Sequence, residues 1–298
     1  MSDEARQSIS VVIPTVGRKD DVLEVLGALA GLDEPVDEII LVCNAAQDGT
    51  AEAVREAHPE VDVVELDENL GTGARNIGFA RATGELIVSL DDDVVPLIPD
   101  MTARIRRAFR DYRLMGALAF AVVRADDGTT CNWCHPRDPE RWKGRAFRSA
   151  YFPAGAVAFR RCVLEEVGYY PARFFMCGQE DDLALRVLAA GHEIWYEPGI
   201  VVSHGFSGVS RAPWRRDYFE LRNSIWMAAR LFPVAVAVPF TLRRAALLTL
   251  DAARSGHARW AGKAMLDAAK AMPEVLRERR PIPFAELMRI RRLRAEGL

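Results

Sequence analysis

The feature that most constrains this chain is an alternation between residues 9 and 90. Short apolar runs rich in β-branched residues take turns with stretches whose apolar positions recur at helical spacing. Residues 9–14 (ISVVIP), 38–43 (EIILVC), 61–66 (VDVVEL) and 85–90 (ELIVSL) read as strands. Between them, residues 20–32 place Val22, Leu23, Val25, Leu26 and Leu29 on one helical face, with Gly31 positioned to end the segment. Residues 49–58 and the glycine-entered stretch 71–83 read as the next two helices. Parallel strands need long crossovers, and helices supply them. The pattern therefore predicts an α/β fold with a mostly parallel sheet, helices on its faces, and ligands at the strands' C-terminal ends.

Past Pro99 the pattern continues with a basic amphipathic helix over 101–112 and a strand over 116–123. Residues 125–149 are polar, carry Trp133 and Trp142, and read as a long irregular loop. A helix is expected over 183–190, with strands over 193–197 and 200–203. After Asn223 helix formers dominate, broken at Pro233, Pro239, Pro273, Pro281 and Pro283. This places a domain boundary near residue 225, dividing an α/β region, 1–225, from a helical region, 226–298. No internal repeat is present.

The net charge of −3 conceals an asymmetry: from Trp226 onward there are 14 Lys or Arg against 6 Asp or Glu, +8 against −11 for the remainder. A membrane-surface helix pair, a dimer interface or a lid on the α/β region would each use that charge, and the arginines interspersed with Leu, Ala and Trp260 favour an anionic membrane surface. No nucleic-acid-binding motif accompanies it, so nucleic acid is not an expected partner. The N-terminus lacks the basic and apolar regions of a signal peptide, and five scattered cysteines argue against a disulfide framework. Cytoplasmic residence is the expectation, with peripheral contact at the inner face of the membrane.

The residues richest in chemistry are Asp91, Asp92 and Asp93, directly after a buried strand. Adjacent carboxylates repel unless a cation offsets them. If the strand geometry continues, Asp91 and Asp93 face the same side and can share Mn2+ or Mg2+, leaving coordination positions for diphosphate oxygens. A solvated acidic turn is the bland alternative. Cys131 and Cys134 have the spacing of half a zinc site or of a redox pair, but no second pair exists and free thiols are the default.

Several pieces in order resemble family 2 glycosyltransferases of the GT-A fold, including rhamnosyltransferase-like members. They are VVIPTVGR (11–18), CNAAQDGT (43–50), NLGTGARNIGFARATGE (69–85), LDDD (90–93), FFMCGQEDDLALR (174–186), VVSHGFS (201–207) and YFELRNSIW (218–226). The resemblance implies an inverting transfer of a sugar from a nucleotide diphosphate to an acceptor hydroxyl. It further implies a donor site lined by Pro14, Thr15, Arg18, Asn44, Asp48, Asn69, Gly71, Arg75, Asn76, Asp91 and Asp92, with His204 joining Asp91 and Asp93 as a metal ligand. The general base falls in the acidic helix. Aligning on Asp182, Leu183 and Arg186 favours Glu180, whereas sliding by one residue favours Asp181.

Cys43 stands where the family usually has an acid, which leaves nucleobase selectivity open; Asp48 is the candidate substitute. A hexose such as rhamnose on thymidine or uridine diphosphate is the family-level donor. The acceptor is a glycan, a lipid-linked sugar or a small molecule, with Trp133 and Trp142 available to stack on it or to bury their own loop. Two other readings remain: a sugar nucleotidyltransferase, and a non-catalytic carbohydrate-binding or scaffold protein of the same fold.

Overall fold

The computed structural model describes residues 6–205 and 212–295. The first half alternates as the sequence predicts: β1 (Ile9–Thr15), α1 (Lys19–Ala30), β2 (Glu38–Asn44), α2 (Thr50–Ala57), β3 (Asp62–Leu66), α3 (Gly73–Arg81) and β4 (Leu86–Leu90). There follow β5 (Val94–Pro96), α4 (Met101–Asp111), β6 (Met115–Arg124), α5 (Pro139–Trp142), β7 (Phe147–Ser149), β8 (Ala156–Arg160) and α6 (Arg161–Val167). Then come α7 (Gln179–Ala189), β9 (Glu193–His204) and the helices α8 (Trp214–Leu231), α9 (Val234–Arg254), α10 (Ala258–Lys270), α11 (Met272–Arg277) and α12 (Phe284–Ala295).

One sheet joins the described strands in the order β3-β2-β1-β4-β8-β6-β9-β5, with β7 on β9. β1 to β4, β6 and β9 share a direction, while β5, β7 and β8 run against it. The strand runs are apolar throughout because both faces are covered. In β1, Ile9, Val11 and Ile13 enter one core with α1, α2 and α4, and Val12 enters the other with α3 and α7. β6 divides the same way, with Leu118, Phe120 and Val122 on one face and Ala117 and Ala119 on the other.

Three expectations change. β8 and α6 are absent from the sequence reading, as are the short β5 and β7; β8 enters the sheet's centre antiparallel between β4 and β6. The two strands expected over 193–203 are one, β9, whose pairing with β6 slips between Phe120 and Ala121; opposite that slip lie Pro198 and Gly199. The loop over 125–149 contains α5 and β7, and its aromatics pack on one another: Trp133 lies edge-on to Tyr196 and His135, and Trp142 edge-on to Phe147. This favours the loop-burying use of Trp133 and Trp142 over acceptor stacking. Cys131 and Cys134 are free thiols.

Residue 225 lies within α8, a helix that serves both parts of the molecule. Trp226 and Leu231 enter the sheet core, whereas Tyr218 and Leu221 pack with Ala252, Ala261 and Ala264 of α9 and α10. Deeper still, Asp182 is wholly buried and accepts hydrogen bonds from Arg186 (2.8 Å) and Arg230 (2.5 Å), tying α7 to α8. Arg186 also caps the end of α6 through the carbonyls of Val167 and Gly168. Removing the shared carboxylate strands two largely buried guanidinium groups. Asp182→Ala is therefore expected to lose about 3–5 kcal/mol of stability. A urea denaturation midpoint equal to that of the native chain would refute this.

Candidate active site

β4 stops at Leu90, and the three aspartates form a turn rather than extended strand. The Val94 amide reaches back to the Asp91 carbonyl (3.2 Å), and the Asp91 amide bonds the Gly155 carbonyl (3.2 Å). The strand-based alternation expected for Asp91 and Asp93 is therefore not the cause of their meeting. The turn brings them together, and the pairing of β5 with β9 adds His204. That register sets Val94 opposite His204, and the Gly205 amide donates to the Asp93 carbonyl (2.8 Å). Asp91, Asp93 and His204 each offer a ligand atom, all within 4.8 Å of one another. Two carboxylate oxygens and an imidazole nitrogen suit Mn2+ or Mg2+ with positions to spare for phosphate and water.

Two arginines offset the acidic turn. Arg18 contacts Asp92 (2.9 Å) and Asp93 (3.0 Å). Arg75, buried on α3, pairs with Asp91 and donates to the Ser89 hydroxyl (3.1 Å), which in turn donates to the Ala154 carbonyl. The Thr15 hydroxyl donates to Asp92 (2.7 Å), and Pro14 precedes it in β1. Burial still pushes the Asp92 carboxyl up to about 6, against the pull of Thr15 and Arg18. At His204, burial works against protonation, but the Asp93 hydrogen bond and the nearby carboxylates prevail and raise its pKa. Its Nδ1 lies 2.9 Å from the Asn132 amide nitrogen.

The remaining expected donor-site residues divide. Asn44 holds the 69–71 loop: its amide donates to Asn69 (3.0 Å) and the Gly71 carbonyl (3.3 Å), and its oxygen accepts from the Leu70 amide (2.7 Å). Gly71 has φ +58°, and a Cβ there would collide with the Phe175 carbonyl, so the turn requires glycine. Asp48 accepts from the Thr50 amide and hydroxyl and from the Lys19 amide, which joins the loops at the starts of α1 and α2. Asn76 is committed elsewhere, since both ends of its amide bond the Tyr170 backbone. Ser207, the last residue of VVSHGFS, lies outside the described residues.

α7 begins at Gln179, earlier than expected, so Glu180, Asp181 and Asp182 occupy its first turn, after a left-handed Gly178. Their surroundings differ. Glu180 accepts from Gln179 (2.7 Å), and burial raises its pKa to about 7, with Asp181 and Asp91 adding to the rise and Arg75 opposing it. Asp181 is raised by burial and lowered by Arg294, 3.5 Å away on α12, and by Arg244. The loop before the helix holds Phe175 and Cys177 at positive φ. It is pinned by the Asn223 amide, which donates to the carbonyls of Phe174, Met176 and Cys177.

Residues 10–168 match glycosyl transferase family 2, more than half of the sequence. The chain belongs to that family. Among curated relatives, a pre-mycofactocin glycosyltransferase of Mycobacterium tuberculosis is 23% identical over 265 residues, covering 81% of this chain and 49% of the relative. Glycosyltransferase AglE of Haloferax volcanii is 31% identical over 94 residues, 30% of this chain and 31% of the relative. The chain thus spans half or less of the length of these relatives. Among solved structures, the mannosyltransferase PcManGT from Pyrobaculum calidifontis, in complex with GDP-Man and Mn2+, is similar at a TM-score of 0.59 and 23% identity, covering 99% of this chain and 84% of that one. This similarity establishes the GT-A fold.

Sequence reasoning misses Ser89, Asn132, Gly155, Asn223 and Arg294. Ser89 has a readable signal, a lone hydroxyl in a run of buried strand residues. Gly155 has none, because its requirement comes from a neighbour distant in sequence: a Cβ there would strike the Asp91 carboxylate. Gly155→Ala should displace that carboxylate and weaken Mn2+ binding about tenfold. Isothermal titration checks this, and native-like affinity in the variant would contradict it.

Proposed function

We propose that this protein transfers a sugar from a nucleoside diphosphate carrier to an acceptor hydroxyl, with inversion at the anomeric carbon. The observation that carries the reading is the convergence of Asp91, Asp93 and His204 at the end of the central strands, with Glu180 close enough to feel Asp91 and Arg75. Family membership and the fold shared with a mannosyltransferase complexed to GDP-Man and Mn2+ support the donor class.

In this reading Asp91, Asp93 and His204 hold Mn2+ or Mg2+, and Pro14, Thr15, Asn69 and Gly71 shape the nucleotide crevice. The cation supplies neutralisation of the negative charge that grows on the departing diphosphate. Arg75 and Arg18 lie beside the acidic turn, so either guanidinium can meet a phosphate oxygen when the carboxylates turn to a cation. Glu180 takes the proton of the acceptor hydroxyl as its oxygen bonds the anomeric carbon. The bond from that carbon to the diphosphate oxygen breaks, and the electron pair leaves with the diphosphate. A carboxyl with a pKa of about 7 is matched to this task near neutral pH. Asp181 is the weaker candidate for base: burial raises its carboxyl too, but Arg294 and Arg244 oppose that rise by favouring the charged form. The same chemistry accommodates a hexose donor such as rhamnose on a thymidine or uridine carrier, with Cys43 in place of the usual acid.

We assign residues 226–298 to acceptor-side and membrane-surface roles at the cytoplasmic face. No helix among the described residues is long and apolar enough to cross a membrane. α9 nevertheless exposes Val234, Val238, Leu242, Leu247 and Leu250 alongside Arg243, a composition suited to lying on anionic lipid within reach of a lipid-linked acceptor. A homodimer contact is the competing use of that face.

Two variants test the chemistry. Asp93→Ala should abolish Mn2+-dependent donor binding in a thermal-shift assay over a panel of nucleotide sugars, and an undiminished shift would remove the metal assignment. Glu180→Gln should preserve donor affinity while lowering kcat by about 10²- to 10⁴-fold. Because a protonated Glu180 cannot accept the hydroxyl proton, native kcat should fall as pH drops through about 7. The glutamine variant should lose that limb. If Asp181→Asn produces these effects instead, Asp181 is the base. Release of pyrophosphate in place of nucleoside diphosphate would identify a nucleotidyltransferase, and release of neither a scaffold.

A further inference from the structure

At the opposite end of the sheet from the aspartate turn lies a cleft of about 840 Å3. It is bounded by Arg6 and Gln7 ahead of β1, Glu34 after α1, one face of α4 with Phe109, Arg113 ahead of β6, and Arg160 at the end of β8. On α4, Ala103, Arg106, Arg107 and Arg110 fall at the i, i+3, i+4 and i+7 positions of a single stripe. Six arginines and one glutamate line the cleft. Nothing in the proposed transfer reaction uses this end of the molecule.

The six divide into a fixed floor and an uncommitted rim. Arg106 is buried, pairs with Glu34 and Asp37, and donates to the Gln7 carbonyl (2.8 Å). Arg6 bonds Asp37 (2.8 Å) and the Pro35 carbonyl. Arg160 donates to the carbonyls of Phe109 (2.9 Å) and Met115 (3.3 Å) while its guanidinium lies over the Phe109 ring. Arg107, Arg110 and Arg113 are exposed. Among the described residues, the ion pair of this rim is the loose contact of Arg110 with Asp111 at 3.8 Å. Asp100, which Arg107 also feels, is already paired with Arg104, so Glu34, Asp37 and Asp111 leave a surplus of three among the six positive charges.

Like charges gathered in one concavity raise the local potential and concentrate anions there. Guanidinium forks match phosphate oxygens two at a time, and a fixed floor lowers the ordering cost of binding. We infer that this arginine-lined cleft is a second ligand site, for an anion bearing two or more phosphate groups. The volume lies in the range of small-ligand pockets. Such phosphates come either from a soluble oligophosphate or from clustered lipid headgroups, and the same residues would contact both.

The test is isothermal titration of the full chain with inorganic tripolyphosphate in EDTA. The triple variant R107Q/R110Q/R113Q is compared with Arg18→Gln, which alters the donor crevice. Native protein and Arg18→Gln should bind one equivalent with equal affinity, and the triple variant should bind about tenfold more weakly or worse. Absence of saturable binding to native protein overturns the inference. So does unchanged affinity in the triple variant, or loss confined to Arg18→Gln. The three side chains are exposed, so the fold should survive. If the triple variant fails to fold, single substitutions at Arg110 and Arg113 replace it, and each should weaken binding. Flotation with phosphatidylglycerol–phosphatidylcholine vesicles then separates the sources. Vesicle binding that tripolyphosphate displaces, and that the triple variant lacks, assigns the site to headgroups; tripolyphosphate binding without it assigns a soluble ligand.

Discussion

Mutual repulsion among the three carboxylates that follow β4 organises the site around them. Asp92 and Asp93 are buried, and without cations they would have to protonate or unfold the turn. The structure answers with Arg18 from the loop after β1 and Arg75 from α3, each reaching the turn from a different segment. Ser89 and the Ala154 carbonyl fix Arg75, and Thr15 fixes Asp92. The acids are thus held by groups that are themselves cations, so that in the proposed reaction a divalent ion and a diphosphate would exchange for arginine contacts with each charge still matched.

The parallel half of the fold is legible in the sequence because burial on both faces writes itself as uninterrupted β-branched runs, as in residues 9–14 and 38–43. The antiparallel insertion is not. β8 is five residues, AVAFR, with three small or short side chains, and its place in the sheet depends on partners distant in sequence, Leu86–Leu90 on one side and Ala117–Ala119 on the other. β9 reads as two strands because Pro198 and Gly199 interrupt the run, yet the sheet absorbs them at the pairing slip opposite β6.

Legibility at the site follows the same division. Asp91, Asp93 and Arg75 announce themselves locally, by charge after a strand and by a cation on a glycine-entered helix. His204 is placed by the register of β5 on β9, which no local pattern specifies; only the resemblance to the family points to it. Asn76 shows the converse. Its motif is intact, but its amide clamps Tyr170, so sharing a motif with site residues does not place a side chain in the crevice. Asn223 sits in an equally recognisable stretch, and its part is to hold three carbonyls of a loop with two non-glycine residues at positive φ. Such backbone costs of order 1–3 kcal/mol per residue and persists only where the surroundings enforce it.

One helical turn then separates three neighbouring acids into three environments. Asp182 points into protein and is saturated by two arginines, which makes it a strut between α7 and α8. Asp181 faces α12 and the cation of Arg294. Glu180 faces the aspartate turn, where burial and like charge raise its pKa and its hydrogen bond comes from a neutral amide. A carboxylate that is paired with a cation is a poor base, and one wholly enclosed cannot meet a substrate. The three differ by geometry alone, since composition treats them as a run of acids. The α12 helix enters this arrangement by setting the positive charge of Arg294 beside Asp181, which ties the C-terminal helices to the electrostatics of the acidic turn of α7.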